Sequence, residues 1–258
     1  LLLHPPSCAC CGGGNIEINS QYLDTFSAAN FGESGISQAA FLGGGPGVSI
    51  ITESDIQARK AELGLTGSDW SYVSSLFFND ASFYNGVYFK WGDELGTAPT
   101  LTYSFVDAGT YSLDSNYIND LDTVGMGAQA DSFVEFNNSD PSHYMIEFSS
   151  DEKNFIRQTL EDFAGASGIQ FTEVDDNNST SYGDLRFHLQ DFSTWQQYSN
   201  DYTYGGFAYG PWGDSLGNTW SLAGDLFLRS DYELFDGYAE STIAHEIGHA
   251  LGLSHPFG

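Results

Sequence analysis

The chain has 258 residues, 41% of them hydrophobic and 16% aromatic, which is too apolar for a disordered chain and enough for one good-sized core or two smaller ones. Seven Lys and Arg stand against 35 Asp and Glu, a formal net charge of -28 with the acids scattered rather than gathered in runs. That balance excludes binding to nucleic acid or to an anionic membrane surface, which need basic patches, and favours a highly soluble protein, as in a salty medium where counter-ions screen self-repulsion.

Cys8, Cys10 and Cys11 are the only cysteines, so the redox compartment stays open. No apolar run approaches the roughly 20 residues that span a bilayer. The chain opens on Leu1 with no basic region before "LLL", so no secretory signal peptide is read. Glycine runs at 10 to 15 and 43 to 47 make residues 1–50 a flexible leader or propeptide-like segment. Residues 51–83 read as a short helical segment, starting at "TESDIQARKAEL" with Thr52 in a position to cap it. From residue 84 to 258 the pattern is domain-like, and "TLTYSFV" (100 to 106) alternates as a strand does.

Ser149 stands three residues before Glu152, the capping-box spacing, and Phe155, Ile156, Leu160 and Phe163 follow on one face of a helix that Gly165 or Gly168 ends. Strands are predicted at 169 to 174, 184 to 189, 205 to 209 and 225 to 229. A second helix is predicted from Gly237 to Leu251 with Asp236 as its cap. A helix on a sheet, more strands and a final helix make an α/β layered domain.

The final helix carries "HEIGHALGLSH" from 245 to 255. His245 and His249, four apart, project from one face and reach a single ion, while Glu246 is placed to reach a water beside it. Gly252 can take a positive φ and turn the chain so that His255 returns to the same ion. With only six histidines in the chain, three at fixed offsets arise by chance about once in 80,000 starting positions, so a shared role is the better reading. Three neutral histidines around Zn2+ leave one tetrahedral position open, as catalytic zinc sites do. A zinc-activated water with Glu246 as general base, then general acid, is the chemistry of peptide hydrolysis.

These residues resemble a metzincin zinc endopeptidase, most closely the serralysin family, through "HEIGHALGLSHP" and, more weakly, "KWGDELGTAPTLTYSF", "FIRQTLEDFAGASGIQFTEV" and "GGFAYGPW". Matrixins share much of the zinc motif and are the nearest alternative. The resemblance implies an α+β catalytic domain with a twisted mixed sheet, two long helices and the zinc site on the second. It also implies a secreted, extracellular, monomeric enzyme acting on protein or peptide substrates. Gly206, Phe207, Ala208 and Tyr209 correspond to the strand that binds extended substrate in that family. After His255 only "PFG" remains, without the methionine turn or the calcium-binding repeats of serralysins. The expectation is therefore an N-terminal subdomain of a longer protein, with Ca2+ belonging to the missing C-terminal region. The reading from another class is a catalytically silent zinc-containing binding module.

Weaker patterns carry less. His4 and the three cysteines match no zinc spacing and read as a tail, with latency through one thiol as the alternative. "DDNNSTSYGDLR" fails the EF-hand template, and His143 and His188 read as structural. The sequons at Asn137, Asn177 and Asn178 are too common to weigh.

Overall fold

The computed structural model describes residues 46–66, 87–93, 95–106, 145–176, 182–190, 205–213, 219, 223–230 and 237–255. The cysteines, His4, His143, the sequons and the Asp236 cap lie outside the described residues. Strand β1 is Val48–Thr52, helix α1 Glu53–Glu62, strand β2 Val87–Trp91 and strand β3 Thr100–Phe105. Helix α2 is Ser150–Ser167, followed by strands β4 (Gln170–Glu173), β5 (Leu185–Gln190), β6 (Gly206–Ala208) and β7 (Asp225–Arg229), then helix α3 (Gly237–Ala250).

Local signals explain the helix ends. Thr52 caps α1 by accepting the Asp55 N–H at 3.3 Å, and the Asp55 carboxylate accepts the Thr52 N–H at 2.9 Å. Ser149 and Glu152 make the same reciprocal pair on α2, at 3.3 and 2.6 Å. Gly168, at φ 81°, ends α2 by donating to the Ala164 carbonyl, while Gly165 stays inside the helix.

Two sheets result. β1 and β2 form an antiparallel ribbon with Val48 opposite Trp91. Residues 48 to 50 therefore belong to a strand, although the glycine-based boundary assigned them to the leader. The other strands form one mixed sheet in the order β4-β3-β5-β7-β6, parallel except for β6, which runs antiparallel to β7 at the edge. The α+β layering is as the sequence implies. Among the described residues no helix is long and apolar enough to cross a membrane.

Register assigns the faces, because alternate residues point opposite ways. Leu101, Tyr103, Phe105, Leu185, Phe187, Leu226 and Leu228 share one face, and they pack with Ile156 and Leu160 of α2 and Ile243, Ile247 and Ala250 of α3. The opposite face carries Arg186, His188, Gln190, Asp225 and Arg229, and these are buried too. Such residues tolerate burial only when paired. Arg186 donates to both Asp176 oxygens, at 2.7 and 2.9 Å, with both side chains at most 1% exposed, and its guanidinium lies 4.7 Å from the Tyr182 ring centre. His188 donates from Nδ1 to the Leu226 carbonyl at 3.1 Å and stacks on Phe227. Burial, then the nearby Arg186 charge, holds its pKa well below the ordinary value, so the ring is neutral.

The Arg186–Asp176 pair yields a stability prediction. Arg186→Leu strands the Asp176 carboxylate and lowers the unfolding free energy by about 3–5 kcal/mol in urea titration. Adding Asp176→Leu recovers part of that loss, since no buried charge then lacks a partner.

Candidate metal centre

Helix α3 packs against β6 and β7. His245 and His249 bring their Nε2 atoms to 2.9 Å of each other. Past Ala250 the chain closes in three backbone bonds: Leu251 N–H to Ile247, Gly252 N–H to His249 and Leu253 N–H to Gly248, each 2.9 to 3.0 Å. The last two form a Schellman closure, which needs a left-handed residue at its corner. Gly252 supplies it with φ 104°, and a Cβ there would stand 3.2 Å from Pro211 Cγ. The turn delivers His255, whose Nε2 lies 3.0 Å from that of His245 and 3.1 Å from that of His249.

The hydrogen on His249 follows from its neighbour. Its Nδ1 lies 2.6 Å from the Leu253 carbonyl oxygen, which can only accept, so Nδ1 carries the proton and Nε2 presents a lone pair to the cluster. Burial, opposed by that hydrogen bond and assisted by the other two rings, pushes the His249 pKa down to about 4. Burial, with His255 beside it, lowers that of His245, and burial lowers that of His255. All three shifts favour the neutral form that binds metal.

Geometry tests whether an ion fits. Nitrogens held tetrahedrally at about 2.0–2.1 Å from zinc stand about 3.3 Å apart, so the observed triangle accepts that ion with a slight opening. This is the only such cluster of His, Cys, Asp and Glu among the described residues. His245 and His249 are half-buried and His255 is exposed, so the cluster has an open side.

Glu246 points from α3 toward β6. It is 1% exposed, and its Cγ packs so closely on Gly206 that a Cβ there would lie 3.1 Å from it. Its Oε1 makes no hydrogen bond, which in a buried carboxyl marks a place for a polar guest.

The β6 residues divide by parity. Tyr209 N–H donates to Asp225, Gly224 N–H to Tyr209 and Arg229 N–H to Gly205, so the odd positions bond to β7. The backbone groups of Gly206 and Ala208 consequently face out of the sheet edge. Phe207 and Ala208 are half-buried, whereas Gly206 and Tyr209 are buried. Phe207 stacks on Phe227 on the far face, and burial, with the Asp225 charge adding, raises the Tyr209 pKa. Sequence reading missed the Leu253 carbonyl, because nothing local marks a main-chain oxygen as an acceptor for a ring six residues before His255.

No family model matches the chain. It is 28% identical over 205 residues to Serralysin C of Dickeya chrysanthemi, which covers 76% of this chain and 41% of that protein. Serralysin A of the same organism is 28% identical over 205 residues, covering 76% and 42% respectively. Metalloprotease AprA of Pseudomonas entomophila (strain L48) is 32% identical over 115 residues, 43% of this chain and 21% of that protein. The chain is serralysin-like. It spans less than half the length of each of these relatives.

Burial gives the Glu246 carboxyl of this serralysin-like chain a pKa raised from 4.5 to about 8. A carboxyl whose pKa is raised on folding adds no penalty below pH 4.5, and its burial costs stability progressively as pH rises from there to about 8. In the metal-free chain Glu246→Gln therefore stabilises at pH 8 on the order of 4 kcal/mol and changes little at pH 4.5. Urea unfolding in chelator at the two pH values measures both.

Proposed function

We propose that the chain carries the active site of a secreted zinc endopeptidase, in which His245, His249 and His255 hold the metal and Glu246 is the general base. The observation that carries this reading is the convergence of three imidazole Nε2 atoms within 3.1 Å beside a buried carboxyl that lacks a hydrogen bond at Oε1. A silent structural zinc site has no use for such a carboxyl, and the serralysin-like sequence supports the same choice.

Zinc, when bound, supplies Lewis acidity that polarises a carbonyl and acidifies a water. The protein residues do the rest. Glu246 accepts the proton of the attacking water, and the same carboxyl hands it to the departing amine. An extended peptide fits along β6, where Gly206 and Ala208 present backbone groups to pair with its main chain; Phe207 and Tyr209 brace the strand from the other face. The bare Cα of Gly206 lets substrate and Glu246 approach from the same side. A net charge of -28 agrees with protein or peptide substrates rather than nucleic acid or anionic membrane.

Casein hydrolysis and zinc content of the native protein test this reading together. Chelation abolishes hydrolysis, and Glu246→Gln lowers kcat about 100- to 10,000-fold while zinc stays bound. Stoichiometric zinc with no cleavage by the unaltered protein gives the decision to the silent binding module. Ala208→Pro removes one outward backbone donor and raises KM about three- to tenfold with kcat nearly unchanged. Unchanged kinetics would remove β6 from the substrate path.

A further inference from the structure

The Schellman closure after α3 leaves one carbonyl to account for. Ile247, Gly248 and His249 carbonyls accept from Leu251, Leu253 and Gly252, and the next oxygen, that of Ala250, has no such partner in the turn. Ala250 is fully buried, so water does not serve it, and a buried carbonyl without a donor is costly. Its partner comes from 159 residues earlier. The indole Nε1 of Trp91 donates to the Ala250 oxygen at 2.8 Å, in a buried bond.

Trp91 is itself held firmly. It is 3% exposed, it ends β2 opposite Val48, and the next residue, Gly92, donates to the Gly47 carbonyl at 2.9 Å. Val48 N–H donates in turn to Thr219 Oγ1 at 2.8 Å, which ties the ribbon to the segment just before β7. Gly224 gives the indole its room, since a Cβ there would lie 2.9 Å from Trp91 Cζ2. The ribbon thus lies outside the five-stranded sheet yet ends on the helix terminus from which the chain turns toward His255.

We infer that Trp91 is a positioning residue for the metal centre, and that the β1–β2 ribbon belongs to the working unit because it anchors the turn carrying His255. The inference rests on the zinc reading above. Trp91 acts on that turn through the Ala250 carbonyl. By filling the last buried acceptor of α3 it fixes where the helix stops, and the stop fixes Gly252, the Leu253 carbonyl that orients His249, and the approach of His255.

The test is a double-mutant cycle read by zinc affinity, with chelator competition, and by amide exchange of the metal-free chain. Trp91→Phe keeps an aromatic ring and removes the donor. Zinc affinity is expected to fall about tenfold, as it does when groups supporting metal ligands are removed. In a His255→Ala background the same change is expected to cost clearly less affinity, because one of the two ligands it positions is already gone. In the metal-free chain Gly252 and Leu253 amides exchange faster while that of Leu160 in α2 does not. Unchanged affinity, an equal loss in both backgrounds, or equal acceleration at Leu160 overturns the inference, the last because Trp91 is then only part of the general fold. If the unaltered chain binds no zinc, the zinc reading fails instead, and the exchange arm still decides whether Trp91 holds the turn.

Discussion

The positive backbone angle at Gly252 is the constraint on which the centre depends. Were α3 to run on, His255 would sit about 9 Å along the axis from His249 and about 15 Å from His245, at 1.5 Å per residue. The turn brings its Nε2 to 3.1 and 3.0 Å instead. Any residue with a Cβ pays twice at that corner, once for the left-handed conformation and once for the contact with Pro211. The same closure places the Leu253 carbonyl where it sets the His249 tautomer, so backbone geometry and ligand chemistry are decided by one residue.

The sheet explains why the centre lies where it does. The parallel strands β3, β5 and β7 form the interior, while β6, antiparallel and at one of the two edges, leaves backbone groups unpaired by the sheet. α3 packs against that edge strand, and Glu246 lies over Gly206. An edge is a liability in most folds because it invites pairing with other chains. On the proposed reading, the outward groups of Gly206 and Ala208 turn that liability into a place for an extended chain.

Much of this was legible in the sequence because the deciding forces are local. Ser149 with Glu152 and the 245, 246, 249, 252, 255 spacing are patterns whose physical consequences run only a few residues. The strand at 225 to 229 matched its prediction for the same reason. What escaped is non-local. Val48–Thr52 follows a glycine run and lacks a clear alternation, so only pairing with β2 makes it a strand. Arg186, His188 and Gln190 alternate as a solvent face would, yet all three are buried, because Asp176 and the Leu226 carbonyl meet the first two. Tyr209 sits in a stretch that reads as substrate-facing, but the register turns its ring to the far side. Trp91 gives no local sign that its indole answers a carbonyl 159 residues away.

Electrostatics then decides how ready the centre is. A chain of charge -28 surrounds its histidines with a field that favours protonation, and protonated rings cannot bind a cation. Burial works the other way and prevails at each of the three, most strongly at His249. The same burial that keeps the imidazoles neutral holds Glu246 protonated near neutral pH when no cation is near. A cation between the imidazoles pulls that carboxyl back toward its ionised form, since an opposite charge at short range lowers an acid's pKa. If the imidazoles hold a cation as proposed, its binding and the readiness of Glu246 to accept a proton are therefore coupled, because burial shifts the pKa values of both.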